Sequence, residues 1–251
     1  MESQRVALVT GSAQGIGAAI ARKLAADGGA VVLADLAVDK AEDVAQSIVD
    51  AGGRATAVRC DVSNRDDAED AVQAAVDSYG SLDILVSNAG VTRDNLIHKM
   101  TDEEWDLVIA THLTGGFYMA RAAQRIMVKN RYGKIVFISS GSAAGNRGQA
   151  NYSAAKAGLQ GMARTLALEL GPFGINVNCV SPGHIDTEMT RAVASRLGLE
   201  YEDVAKDKIA ANSIKRVGVP DDIANAVRYL VSDDAGYVTG QVVNVHGRPS
   251  L

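Results

Sequence analysis

The sequence predicts an α/β protein: a doubly wound parallel sheet of seven strands with helices on both faces. Three observations predict it. Short apolar, β-branched runs alternate with longer amphipathic segments, the pattern of a parallel sheet covered on both sides. A glycine-rich turn joins the first strand to the first helix. The chain has 251 residues, 47% of them hydrophobic, enough for one large core in a single domain spanning 1–251.

Each element follows in order. Val6–Val9 is the first strand, and it begins so early that no signal peptide is expected ahead of it. The turn Thr10–Gly17 opens a helix, Ile16–Asp27. A second strand, Ala30–Ala34, is followed by the helix Asp39–Ala51. After the strand Ala55–Arg59, Asn64–Tyr79 reads as a helix with Ser63 as its cap and acids in its first turn. Asp66, Asp67, Glu69 and Asp70 form its solvated face rather than a metal site. Ile84–Ser87 is the fourth strand. Thr101-Asp-Glu-Glu104 is a capping box for a long helix towards Asn130, with Gly115-Gly116 as an irregularity or close-packing point. The strand Lys134–Ser139 precedes a helical run from Tyr152 to Leu170, and Asn176–Val180 is the sixth strand. In His184–Ser213, the apolar residues Met189, Val193, Leu197, Leu199 and Tyr201 are scattered among charges. That segment is expected to be a lid over a site. Pro220 suits the first turn of a helix reaching Leu230, and Val242–Val245 completes the sheet.

Composition narrows the function classes. A net charge of −5 argues against a nucleic-acid binder, and no apolar run reaches membrane-spanning length. The expectation is a soluble cytoplasmic protein. Cys60 and Cys179 read as buried structural thiols, since no C-x-x-C or histidine cluster accompanies them.

Two stretches carry chemistry. In Thr10-Gly-Ser-Ala-Gln-Gly-Ile-Gly17, Gly11, Gly15 and Gly17 let the backbone turn tightly and approach a pyrophosphate at the helix N-terminus. The spacing is G-x-x-x-G-x-G, a variant of the commoner dinucleotide turn. Asp35, at the end of the second strand, suits the ribose hydroxyls of adenosine and would repel a 2′-phosphate. Gln14 stands where an arginine could have offset that phosphate, and Arg22 and Lys23 are the nearby bases, inside the helix. NAD is therefore expected over NADP. The second stretch is Tyr152-Ser-Ala-Ala-Lys156, whose spacing puts a phenol and an ammonium one helical turn apart. A nearby cation favours phenolate, so the pair is expected to act as a tuned general acid/base for a carbonyl/alcohol couple.

With these motifs in view, the chain resembles the short-chain dehydrogenase/reductase family over its whole length. The matching residues are Thr10–Gly17, Asp61-Val62, Ser87-Asn-Ala-Gly90, Ile138-Ser-Ser140, Tyr152-x-x-x-Lys156 and Ser181-Pro-Gly183 with Thr187. Thr92-Arg-Asp-Asn-Leu96, Gly148-Gln-Ala-Asn-Tyr152 and Gly174-Ile-Asn-Val-Asn178 look most like 3-oxoacyl-carrier-protein reductases. The resemblance implies a Rossmann-type fold with Tyr152 as proton donor and acceptor. It gives Lys156 the roles of lowering the Tyr152 pKa and bonding the nicotinamide ribose. The Ser139/Ser140 pair supplies the hydroxyl that orients substrate. The strand end favours Ser140, loop spacing favours Ser139, and Ser142 is within reach. By the same resemblance Gly11, Gln14, Gly15, Ile16 and Gly17 hold the pyrophosphate and Asp35 the ribose. Asp61 and Val62 flank the adenine, and Asn88, Ala89 and Gly90 the adenosine ribose. Pro182, Gly183, Ile185 and Thr187 hold the nicotinamide end.

Two departures stand out. His112 replaces an asparagine that holds a proton-relay water in relatives, and a histidine can keep that relay through its carbonyl or ring. Lys129 and Arg131 could dock an acidic carrier, but Phe173 stands where relatives place an arginine.

The resulting expectation is an NAD-dependent oxidoreductase, needing no metal, for a 3-hydroxyacyl/3-oxoacyl thioester (CoA preferred) or a similar secondary alcohol. The alternatives are an NADPH-dependent 3-oxoacyl-carrier-protein reductase and a non-catalytic dinucleotide-binding subunit. The resemblance also implies a homodimer or homotetramer, pairing the alanine-rich helices at about Asp102–Asn130 and Tyr152–Leu170 between subunits, with Val245–Leu251 as a further contact.

Overall fold

The computed structural model describes residues 5–196 and 198–249. Among the described residues seven strands form one parallel sheet: β1 (Val6–Thr10), β2 (Ala30–Asp35), β3 (Arg54–Arg59), β4 (Ile84–Ser87), β5 (Gly133–Ile138), β6 (Ile175–Pro182) and β7 (Val242–Val245). Their spatial order is β3-β2-β1-β4-β5-β6-β7. The chain winds outward from β1 to β3, then crosses back to place β4 on the other side of β1. This reversal separates the loops leaving β1 and β4, and a crevice opens there, outside the carboxyl ends of the strands.

The side-chain alternation of a strand divides the core in two. Val6 and Leu8 face one layer with Val72 of α3 (Arg65–Tyr79), Met119 of α5 (Gly115–Asn130) and Leu159 of α6 (Ala150–Leu170). Ala7 and Val9 face the other, with Ile20 of α1 (Gly15–Ala26), Ile48 of α2 (Val38–Asp50) and Ile223 of α9 (Pro220–Val231). Helices therefore cover both faces, as expected. The strands β1, β2, β4, β5 and β6 are buried almost throughout. The edge strands β3 and β7 are partly exposed, because each has a neighbour on one side only. The expectation that every strand is buried on both faces fails at those two edges.

The long helix expected from Thr101 consists of three parts. The capping box is present, with Glu104 N–H donating to the Thr101 hydroxyl at 3.2 Å and Thr101 N–H to the Glu104 carboxylate at 3.0 Å. It opens α4 (Asp102–Ile109), and a π-helical turn over Ala110–Thr114 leads into α5. The irregularity thus lies just before Gly115-Gly116, and both glycines are close-packing points. A Cβ on Gly115 would lie 2.9 Å from Val62, and one on Gly116 2.9 Å from Leu159. The cap of α3 is Asn64 and not Ser63. The Asn64 side-chain Oδ1 accepts from Asp66 N–H at 2.8 Å, whereas the Ser63 hydroxyl donates to Asp61 at 2.6 Å.

The expected lid holds two helices, α7 (Glu188–Arg196) and α8 (Tyr201–Ala211). Leu197 of that lid, Ser250 and Leu251 of the expected subunit contact, and Met1–Gln4 ahead of the first strand lie outside the described residues. Both cysteines are free and buried, and burial pushes each thiol up to about 12. Among the described residues no helix is long and apolar enough to cross a membrane.

Candidate active site

The crevice at the β1/β4 reversal, about 390 Å³, is lined by the glycine turn, the end of β2 and the loops after β3 and β4. Gly11 and Gly15 adopt φ of +63° and +56°, a region that favours glycine. Gly17 serves packing: a Cβ there would lie 2.1 Å from the Gly11 carbonyl oxygen, so only glycine lets α1 start this close to the turn. At the end of β2, the Asp35 carboxylate accepts from Ala13 N–H at 2.9 Å and from Ala37 N–H at 3.0 Å. Those two peptides fix its orientation and leave each oxygen a further lone pair for hydroxyl donors.

Of the residues expected to hold a cofactor, Gly11, Gln14, Gly15, Ile16, Asp35, Asp61, Val62, Asn88, Ala89, Gly90 and Thr187 line this crevice. Gly17, Tyr152, Lys156, Pro182, Gly183 and Ile185 lie beyond its wall. The Asn88 side-chain amide is committed elsewhere, donating to the carbonyls of Thr10 and Gly11 at 3.0 and 2.9 Å, which ties β4 to β1. The Asp61 carboxylate is partly occupied by Ser63. A positively phased glycine turn, a preset carboxylate and an open groove fit an adenine dinucleotide. Lys40 also lines the crevice, and sequence reasoning missed it. The signal was its place five residues after Asp35, in the first turn of α2.

Beyond the crevice, α6 carries Tyr152 and Lys156 against the end of β5. Lys156 is buried, and its ammonium donates to the Ile138 carbonyl at 2.6 Å. Ser139 is buried too. Its hydroxyl donates to the Lys156 carbonyl at 3.0 Å and accepts from Gln160 at 3.0 Å, so it faces α6. Ser140 is half-buried near Tyr152, and its hydroxyl accepts from Ser142 N–H at 3.1 Å.

Electrostatics here departs from the expectation that Lys156 depresses the Tyr152 pKa. Burial pushes the phenol up to about 12; the nearby Ser140 hydroxyl opposes this and the Asp94 charge adds to it. Lys156 lies 5.4 Å from the ring centroid, but burial pulls its own pKa down to about 7, so its charge is only partial near neutrality. Desolvation is the largest cause for both groups.

His112 sits in the π-turn, buried at 3% exposure, with its ring edge-on to Tyr152 at 5.1 Å between centroids. Its Nε2 lies 2.8 Å from the Val91 carbonyl oxygen and 3.1 Å from Val91 N–H, so either neutral tautomer finds a partner there. Nδ1 is buried without a partner. Burial, then the Lys156 charge, hold the imidazole well below its ordinary value. The ring fills the space beside Gly90, where a Cβ would lie 2.2 Å from it.

Such a crevice beside a Ser–Tyr–Lys cluster defines an oxidoreductase of the dinucleotide-binding type, and comparisons with known proteins agree. The family model described as Enoyl-(Acyl carrier protein) reductase matches residues 11–247. The chain is 40% identical to the short-chain reductase protein NovJ of Streptomyces niveus, covering 98% of this chain and 94% of that one. It is 42% identical to the 3-oxoacyl-[acyl-carrier-protein] reductase FabG of Escherichia coli, covering 97% and 96%. The crystal structure of levodione reductase superimposes with a TM-score of 0.93 at 32% identity, covering 97% and 96% of the two chains. The chain belongs to the short-chain dehydrogenase/reductase family.

Proposed function

We propose that the protein is an NAD-dependent oxidoreductase interconverting a secondary alcohol and a ketone, with a 3-hydroxyacyl/3-oxoacyl thioester as its first substrate class. The observation that carries the cofactor choice is the Asp35 carboxylate, held in place by two peptide N–H groups at the adenosine end of the crevice. A fixed carboxylate accepts two ribose hydroxyls and disfavours a 2′-phosphate. The thioester class rests on likeness to the carrier-protein reductase.

In this reading Tyr152 and Ser140 both meet the substrate oxygen. In reduction the phenol gives its proton to that oxygen as charge develops, and in oxidation it takes the hydroxyl proton back. Ser140 steadies the developing alkoxide, and its place near the phenol supports that shared task. Ser139, turned towards α6, is left as the residue that fixes the helix. Lys156 would bond the nicotinamide ribose and, when protonated, oppose the rise that burial imposes on the Tyr152 phenol, and His112 would contribute to the relay that resupplies the proton. The nicotinamide, when bound, carries the hydride exchanged with the carbinol carbon. Gly11, Gln14, Gly15, Ile16 and Gly17 would hold the pyrophosphate, Asp61, Val62, Asn88, Ala89 and Gly90 the adenosine, and Pro182, Gly183, Ile185 and Thr187 the nicotinamide end.

Reduction of acetoacetyl-CoA, followed by loss of reduced-nicotinamide absorbance, tests the site. Tyr152→Phe is expected to bind cofactor as wild type does and to lose turnover by several orders of magnitude. Retained turnover would remove Tyr152 from this role. An NADPH-dependent 3-oxoacyl-carrier-protein reductase is the second reading, favoured by the named activity of the carrier-protein reductase relative and by Lys40, a cation on the same crevice wall as Asp35.

A further inference from the structure

At the rim of the cleft two arginines converge on one peptide carbonyl. Arg93, in the loop after β4, donates to the Thr92 carbonyl at 2.8 Å. Arg196, the last residue of α7, donates to the same carbonyl at 3.3 Å and to the Thr92 hydroxyl at 3.2 Å. The two guanidinium groups are thus within two hydrogen-bond lengths of each other. Among the described residues, neither has a carboxylate oxygen within 4.0 Å, unlike seven other arginines of the chain. Of the neighbouring acids, Asp94 accepts from Gln149 through Oδ2 at 2.8 Å while its Oδ1 is buried without a hydrogen-bond partner, and Glu104 accepts from Thr101 at 3.0 Å in its capping box. Two cations that share a neutral acceptor repel one another until an anion lies between them.

The placement links this pair to the site. Val91 and Met189 line the crevice. Thr92 and Arg93 follow Val91 directly, and the Arg93 carbonyl accepts from Asn151, next to Tyr152, at 2.9 Å. Arg196 lies seven residues beyond Met189 on α7, hence on the same helix face and about 10 Å along the helix axis. One arginine therefore belongs to the lid and the other to the scaffold.

We propose that Arg93 and Arg196, with the Thr92 hydroxyl between them, form an oxyanion subsite at the outer end of the cleft. Its ligand is the phosphate of the pantetheine arm on an acyl-thioester substrate. The inference deepens the thioester reading above and rests on it for the identity of the ligand. Guanidinium forks match phosphate oxygens bidentately, and Arg196, about 10 Å along α7 from the crevice-lining Met189, suits the far end of a long, thin arm rather than the reacting carbonyl. A phosphate bound there ties the lid to the β4 loop while the carbonyl end lies inward.

Calorimetric titration with 4′-phosphopantetheine and with pantetheine, which differ by the phosphate alone, tests the subsite without turnover. Wild type is expected to bind the phosphorylated compound at least tenfold more tightly, and Arg93→Gln/Arg196→Gln to bind the two alike. Each single variant, a safeguard should the double variant misfold, is expected to lose part of the preference. Equal binding by wild type, or a preference kept in the variants, overturns the subsite. In turnover, the double variant is expected to lose about tenfold in kcat/KM for acetoacetyl-CoA, for the acetoacetyl carrier protein, or for both. Whichever substrate suffers identifies the source of the phosphate, and loss for neither overturns the subsite. If wild type reduces no acetoacetyl thioester, the thioester reading fails, and the titration still decides the subsite.

Discussion

At the scale of single residues, the juxtaposition of Tyr152 and Lys156 was readable from spacing, but their charge states were not. Tyr152 and Lys156 stand one turn apart because the helix makes them so. Whether each is charged depends on how much water the fold removes, and β5 and its flanking helices decide that. The same holds for the serines: Ser139 and Ser140 are adjacent in sequence, and only the packing of α6 shows that Ser139 faces the helix backbone. The lysine has a measurable consequence. In the folded protein its pKa is about 7 against an ordinary 10.5, so between those values the unfolded chain holds a proton that the folded protein has released. Stability must therefore rise with pH through that window, and the full cost of burying the group is present below about pH 7. Lys156→Met is expected to raise the melting temperature at pH 6.5 by on the order of 5 °C. That gain should shrink towards zero as pH approaches 10.5, and scanning calorimetry across pH checks it. A gain independent of pH would mean that the buried charge is not its source.

At the scale of elements, local rules worked where the interaction is local. The Thr101–Glu104 box and Pro220 in the first turn of α9 follow from side chains bonding their own backbone or fixing φ. The cap of α3 was misplaced by one residue because Ser63 and Asn64 are both good caps, and Asp61 claims the serine. The π-turn had no local signal. It brings His112 inward, between Gly90 and Tyr152, where the ring takes up space that a side chain at position 90 would need. His112→Ala is expected to lower kcat about three- to tenfold, since it removes both the contact on Tyr152 and a relay group of the kind histidine supplies. Steady-state rates across pH check this, and no change at any pH would leave His112 as a packing residue.

At the scale of the whole molecule, the alternation of strands and helices made the doubly wound sheet legible, and the family resemblance pointed to the candidate site. Neither reveals the reversal between β1 and β4 as a surface, nor which long-range pairs close the cleft, since these depend on contacts such as Arg196 with Thr92 across the chain. Assembly belongs to this scale as well. Phe117 on α5 is 45% exposed and Leu168 on α6 is 81% exposed, apolar groups on the two helices proposed to pair between subunits. Leu168→Glu is expected to shift the protein towards smaller species in size-exclusion chromatography with light scattering. An unchanged mass would place the interface elsewhere.

The proposed preference for NAD rests on the fixed Asp35 carboxylate at the end of β2. Its most direct test is the ratio of kcat/KM for NADH to that for NADPH, measured with acetoacetyl-CoA on wild type and Asp35→Ala. A wild-type preference for NADH of at least tenfold, falling towards parity in the variant, is the predicted result. A wild-type preference for NADPH, or a ratio that Asp35→Ala leaves unchanged, would contradict it.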